Sequence, residues 1–264
     1  MSLYRLSITM LTAITRAVSP AIVHCELSFI VREPIHLSIA QAQHHAYEML
    51  LEKLGARVIS LPAEAELPDS MFVEDPAIVL DELAVIMTLG TDTRRREGPL
   101  LASALSKFRK LEYIKLPGTL EGGDVLRVGR KLYVGLTKRT NAEGIRQLAT
   151  ILSPLNYVVI PVPVTGCLHL KSAVTYLGRN TLLANRGWFD PDPLAGYDWI
   201  DVDRSEPHAA NALALGGAII FPASFPRTLS RLQSSGFSVM PLDISELQKA
   251  ESGLTCSSLL FEAP

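Results

Sequence analysis

Along the chain, short apolar runs set off by polar turns repeat one arrangement: a β-hairpin, then a helix, then a strand. The pattern predicts a first hairpin from Ala77–Leu80 and Leu83–Thr88, turned at Asp81-Glu82, then a helix over Glu97–Leu111 and a strand over Tyr113–Leu116. A second unit pairs Asp124–Val128 with Leu132–Leu136 about Gly129-Arg130, with a helix over Asn141–Leu152 and a strand over Tyr157–Val162. A third pairs Leu168–Leu177 with Thr181–Ala184 about Gly178-Arg179-Asn180 and ends in a strand at Trp199–Val202, its helix poorly marked. A fourth pairs Ala212–Leu215 with Ala218–Phe221 about Gly216-Gly217, followed by a helix near Arg227–Ser235 and a strand at Phe237–Pro241. All but the first hairpin carry turn residues suited to a tight connection.

The units recur at roughly 43–49 residues, the range of propellers and arrays. A fifth unit exists only if the chain ends join. Leu254–Phe261 pairs with a strand near Leu11–Val18, followed by a helix over Ala40–Leu54, stopped by Gly55, and a strand over Arg57–Leu61. The fold class is therefore α/β, a closed five-fold ββαβ ring in one domain over residues 1–264, with 1–9 as an extension. No Pro/Gly/Ser linker divides it.

Composition narrows the function. The 264 residues are 48% hydrophobic and 20% charged, enough for a sizeable core and too apolar for disorder. A net charge of -2 with no basic face argues against nucleic acid or an anionic membrane as partner. The cysteines Cys25, Cys167 and Cys256 are far apart and odd in number, which fits a reducing cytoplasm better than disulfides or a zinc site. The N-terminal stretch is a poor signal peptide, and no apolar run reaches membrane-span length.

The ring places the start of each hairpin near the axis at one end. Glu74-Asp75, Glu121, His169 and Cys256 become neighbours. Taken alone, Cys256 reads as a buried strand cysteine and His169 as a core histidine on an alternating strand. Their shared axial position favours a nucleophilic thiol beside an acid/base imidazole. Glu121, in Glu121-Gly-Gly-Asp124, is suited to orient that ring. The acidic loop Pro68–Pro76 sets Asp69, Glu74 and Asp75 among Met71, Phe72 and Val73, a costly arrangement unless a cation is met there. A guanidinium, planar and always charged, fits that need. Arg94, in Arg94-Arg-Arg-Glu97, and Arg139, in Lys138-Arg-Thr-Asn141, can grip a carboxylate, while Arg95 and Arg96 read as solvated. Acids for a guanidinium and arginines for a carboxylate describe an arginine-like ligand.

With PDSMFVEDPAIV, RRRE, EGGD, KRTNAEG, CLHLKSA and GLTCSS in order, the chain resembles the dimethylarginine dimethylaminohydrolases of the guanidino-group modifying superfamily from about Ile14 to Phe261. That resemblance implies the five-fold ββαβ (pentein) propeller. It also implies Cys256 as nucleophile, His169 as general acid/base and Glu121 as its partner. Glu74 and Asp75, with Asp69 nearby, would bind the guanidinium, Arg94 and Arg139 the α-carboxylate, and Leu27 would belong to a lid. Glu251 stands where better-known members carry Asp, and Ser252 replaces a Gly, so Glu251 is expected to bear on which N-substituents fit. The implied activity releases an alkylamine from an Nω-methylated arginine to give citrulline, with no metal or organic cofactor. Zn²⁺ at the thiol would act as an inhibitor. An arginine deiminase or amidinotransferase is the nearest rival, and a non-enzymatic sensor of arginine-like ligands the rival of another class. The expected partner is a small-molecule substrate, with no nucleic acid and no membrane. A homodimer is allowed, and the location is cytoplasmic.

Overall fold

A computed structural model describes residues 9–263. All but the last residue of the expected extension 1–9 lie outside that range. Among these residues, fifteen strands form five three-stranded sheets of one design, an antiparallel pair whose second strand takes a parallel neighbour. The first sheet is made by the chain ends. β1 (Met10–Arg16) is followed by α1 (Leu37–Lys53) and β2 (Arg57–Leu61), which lies parallel to β1. The second holds β3 (Ala77–Val79), β4 (Leu83–Ile86), α2 (Glu97–Leu105) and β5 (Lys110–Tyr113). The third holds β6 (Val125–Val128), β7 (Lys131–Leu136), α3 (Ala142–Leu152) and β8 (Val158–Pro163). The fourth has a short helix α4 (Leu170–Ala173) ahead of β9 (Val174–Gly178), β10 (Thr181–Ala184) and β11 (Asp198–Asp201). The fifth has β12 (Leu213–Leu215), β13 (Ala218–Pro222), α5 (Pro226–Ser234) and β14 (Val239–Leu242). After α6 (Ser245–Gln248), β15 (Leu259–Ala263) returns to pair antiparallel with β1, Thr12 opposite Phe261.

The innermost strands surround a channel. Val79, Leu126, Tyr176, Leu213 and Leu260, one from each, line a cavity of ≈ 270 Å³. Helices pack outside, and the apolar core lies in the wedges between sheets. In α3, Ile145, Leu148 and Leu152 turn inward against Val85, Leu132 and Val134, and the Asn141 side chain caps the helix by accepting the Gly144 N–H at 2.8 Å. Turn chemistry holds the hairpins: Gly216 and Gly217 both have positive φ, at 57° and 78°, as a tight two-residue turn requires.

Four expectations need correction. The helix expected to Leu111 ends at Leu105, and the strand expected at Tyr113–Leu116 lies earlier, at Lys110–Tyr113. The chain turns after Leu105 because Phe108 stacks edge-on against Phe261 at 5.3 Å, and the Arg109 Nε donates to the Leu80 carbonyl at 2.8 Å. The run Leu168–Leu177 is not one strand: His169 is extended, α4 intervenes, and the strand begins at Val174. The third repeat has no α-helix between β10 and β11, only a short 3-10 turn at Asp192–Leu194. Pro191 and Pro193 each remove a helical N–H, and Phe189 and Leu194 fill the wedge instead. No helix among the described residues is long and apolar enough to cross a membrane.

Phe261 is 6% exposed and seals the joined chain ends. Phe261→Ala is expected to lower stability by about 3 kcal/mol, read as a reduced urea midpoint. A loss well under 1 kcal/mol would mean that the terminal strand does not close the ring.

Candidate active site

Five short segments, each leading into an innermost strand, meet at one mouth of the channel. Glu74 and Asp75 precede β3, Glu121 opens the 3-10 turn before β6, and His169 precedes α4. Asn211 precedes β12, and Cys256 lies in a 3-10 turn, Thr255–Ser257, before β15. Backbone bonds staple neighbouring segments. The Glu74 N–H donates to the Cys256 carbonyl at 3.2 Å, and the Gly122 N–H donates to the Asp75 carbonyl at 2.8 Å. Two glycines make this approach feasible. A Cβ on Gly122 would lie 2.0 Å from the Glu74 carbonyl oxygen, and one on Gly123 would lie 2.6 Å from His169 Nδ1.

The His169 Nε2 is 2.6 Å from Glu121 Oε2, both buried, and its Nδ1 faces Asp75 Oδ1 at 3.9 Å. Burial alone would push the imidazole pKa down. The carboxylates of Asp75, Asp124 and Glu121 outweigh it and lift the value to about 9. Burial likewise opposes the Glu121 charge, but His169 and the arginines Arg94 and Arg139 bring its pKa down to about 2. Glu121 also accepts the Gly90 N–H at 3.0 Å, and its own N–H donates to Thr140 Oγ1 at 3.0 Å.

Cys256 is half-buried, its sulfur accepting the Gly253 N–H at 3.3 Å. Burial first, then the charges of Glu74 and Asp75, pushes this thiol up to about 12. The resting thiol is therefore neutral at pH 7.

The acids divide by what they already hold. Glu74 pairs with Lys171 and accepts from Thr255 Oγ1 at 2.8 Å, forming the floor between site and channel. Asp69 accepts the Glu26 N–H at 3.1 Å. Asp75 Oδ2 meets Arg94 at 2.9 Å, while its Oδ1 is buried without a hydrogen-bond partner. That orphaned acceptor is an invitation to a donor. Asp75, Glu121 and His169 also offer donor atoms within 4.8 Å of one another, close enough to share a cation.

The two expected carboxylate-binding arginines differ. Arg94 is committed, bidentate to Glu97 at 2.9 Å twice and bound to Asp75. Arg139 is buried but meets hydroxyls, Thr91 and Ser28 at 3.2 Å each, and stands 3.5 Å from Glu121. Leu27 lies in the irregular segment between a 3-10 turn at Ile22–His24 and α1, against the same site. The Glu251 carboxylate is taken up by that segment's backbone. Lys171 and Asn211 were missed by sequence reasoning. The Asn211 amide donates to the Lys171 carbonyl at 2.9 Å and to Thr255 Oγ1 at 3.1 Å, tying the fourth repeat into the site.

A five-fold ββαβ ring with a thiol and an imidazole–carboxylate pair at its mouth is the architecture of the guanidine-modifying penteins, and residues 63–206 match the family model described as arginine deiminase. Within that class the chain belongs to the dimethylarginine dimethylaminohydrolase family. It is 35% identical to the N(G),N(G)-dimethylarginine dimethylaminohydrolase of Pseudomonas aeruginosa, over 84% of this chain and 88% of that one. It is 34% identical to the Streptomyces coelicolor enzyme of the same name, over 94% of this chain and 95% of that one. The crystal structure of a cysteine-to-serine mutant of the Pseudomonas aeruginosa enzyme with citrulline superposes with a TM-score of 0.91 at 32% identity, covering 96% of this chain and all of that one.

The folded-state pKa of His169 lies above its ordinary 6.5. Its contribution to stability is therefore full below pH 6.5 and lost as pH rises through about 9. Glu121→Gln is expected to lower the His169 titration midpoint, followed by NMR of the ring protons, and to shrink the stability lost across that window. A His169 titrating at or below 6.5 in the intact protein would contradict the assigned ion pair.

Proposed function

We propose that this protein hydrolyses an Nω-methylated arginine to citrulline and an alkylamine, in one domain and with Cys256 as nucleophile. The observation that carries the reading is the buried, unpartnered Asp75 Oδ1 beside His169. It is an acceptor that a guanidinium N–H satisfies. The names of the relatives support the same chemistry.

The substrate cation enters between Asp75 and the floor formed by Glu74 and Lys171. Burial and the nearby carboxylates hold the Cys256 thiol protonated; the substrate's positive charge offsets the carboxylates, and the thiol releases its proton to solvent. The thiolate attacks the guanidinium carbon, forming the C–S bond. His169 has Nε2 committed to Glu121, so Nδ1 donates its proton to the nitrogen of the departing alkylamine. The C–N bond breaks and an S-alkylthiouronium remains. Neutral His169 then takes a proton from water, the hydroxide adds to the same carbon, and the thiolate leaves as citrulline forms. Glu121 keeps the ring oriented and stabilises its charged form throughout. Arg139 is the better ligand for the α-carboxylate, because the charge of Arg94 is already met by Asp75 and Glu97. Asp69 lies beside the lid segment that carries Leu27. A cytoplasmic enzyme fits three cysteines that are all free.

The family model's description keeps arginine deimination as the second reading. A substrate panel of arginine, monomethylarginine and dimethylarginine separates the two. Citrulline is expected from the methylated substrates, with methylamine or dimethylamine released, and preferential release of ammonia from arginine would favour the deiminase. Cys256→Ser is expected to cut turnover by about 10⁴-fold or more while far-UV circular dichroism is unchanged. Retained citrulline production by that variant would sink the mechanism.

A further inference from the structure

The segment from Cys25 to His36 has no regular secondary structure, yet carboxylates hold it in several places. Asp69 accepts the Glu26 N–H at 3.1 Å. Glu251 Oε2 accepts the Ser28 N–H and Oε1 the Phe29 N–H, each at 2.6 Å. Glu246 accepts the His36 N–H. Ser28 Oγ also accepts from Arg139 at 3.2 Å. Leu27 is thus suspended between Asp69 and Glu251. Among the described residues its own N–H and C=O have no hydrogen-bond partner in the protein.

Glu251 itself is unusual. Its φ is 55°, in the left-handed region that a non-glycine side chain occupies at a cost. Such a conformation persists only where its surroundings hold it. Each Glu251 carboxylate oxygen already accepts a lid amide, whereas Asp75 Oδ1 accepts no hydrogen bond. The extra methylene of Glu over Asp lengthens its reach toward the lid. Behind this contact, Phe29, Ile30, Leu168, Asn211 and Gly253 line a cavity of ≈ 440 Å³. Gly253 is the residue whose N–H meets the Cys256 sulfur. The lid therefore borders a cavity that extends to Gly253, the residue bonded to the thiol.

We infer that Glu251 is a positioning residue that latches Ser28 and Phe29 down, so that Leu27 presents its unpaired backbone groups to the amino-acid end of the substrate. It acts through the lid and does not hold the guanidinium. The inference rests on the methylarginine reading for its kinetic arm alone.

Three measurements on Glu251→Gly and Glu251→Gln test it. Glycine removes the latch together with the φ strain, so the variant is favourable for folding. Glutamine keeps the length but retains one acceptor oxygen in place of two. For Glu251→Gly, tryptic cleavage after Arg32, in the lid, should accelerate about tenfold, as expected for losing two charge-assisted hydrogen bonds. KM for dimethylarginine should rise about tenfold with kcat within about threefold, since the lost contacts position substrate in ground and transition states alike. Alkylation of Cys256 by 2-chloroacetamidine, an amidinium without an amino-acid end, should be at least as fast as in the wild type. Glu251→Gln should fall between wild type and glycine in cleavage and in KM. Slower alkylation in either variant, or a raised KM with unchanged cleavage after Arg32, would overturn the latch and return Glu251 to direct guanidinium binding. Unchanged KM with faster cleavage would also overturn it. If the wild type releases citrulline from no methylarginine, the functional reading fails, and cleavage and alkylation still decide the latch.

Discussion

Everything at the mouth of the ring depends on the antiparallel pairing of the two chain ends. β15 lies against β1 from Met10 opposite Ala263 to Ile14 opposite Leu259. Without that ladder the first sheet is reduced to β1 and β2, and the ring is an open arc. With it, the 3-10 turn carrying Cys256 is fixed three residues ahead of a paired strand, its carbonyl bound by the Glu74 N–H. A terminal strand would ordinarily fray. Here Leu259, Phe261 and Ala263 are buried against Ile14, Val73 and Leu101, so apolar burial fastens the end. The long sequence separation between Cys256 and the carboxylates is thus turned into contact by the closing strand.

The second constraint is electrostatic. Closure gathers Asp69, Glu74, Asp75, Glu97, Glu121 and Asp124 into a buried volume, where each charge is costly. The structure meets this cost unevenly. Arg94 serves Asp75 and Glu97, Lys171 serves Glu74, and protonated His169 serves Glu121. Asp124 is held by the Leu170 N–H at 2.9 Å and Thr137 Oγ1 at 2.8 Å, yet burial still raises its pKa to about 6. Glu97, against Arg94, is raised by burial to about 7. Such a balance leaves one buried carboxylate oxygen of the site, Asp75 Oδ1, without a hydrogen-bond partner among the described residues.

Much of this was legible in the sequence because it is local or periodic. Hairpin turns with glycine or asparagine announced themselves, and their spacing gave the five-fold ring and its closure. The axial rule also pointed at Glu74, Asp75, Glu121, His169 and Cys256 before any distance was known. Asn211 stood at the same station of the fourth repeat and was overlooked, since an amide suggests no chemistry by itself. Lys171 lay inside a motif already singled out, but its partner is 97 residues away. The missing helix of the third repeat was signalled by Pro191 and Pro193, and the early end of α2 was not, because tertiary contacts of Phe108 and Arg109 set it. The left-handed backbone of Glu251 has no sequence signature at a non-glycine residue. The resemblance led Glu251 to be expected to bear on the N-substituents, and the structure adds that each of its carboxylate oxygens accepts a lid amide.

These pieces bear on why such a thiol is safe to carry. Burial, and after it the carboxylates of Glu74 and Asp75, raise the Cys256 pKa to about 12. Without a cation, the thiol is protonated and a poor nucleophile toward bystander electrophiles. When a cation fills the gap beside Asp75, the same carboxylates are neutralised and the penalty on the thiolate falls. On the methylarginine reading, a guanidinium would be selected through the ionisation of Cys256 as well as through the shape of the pocket.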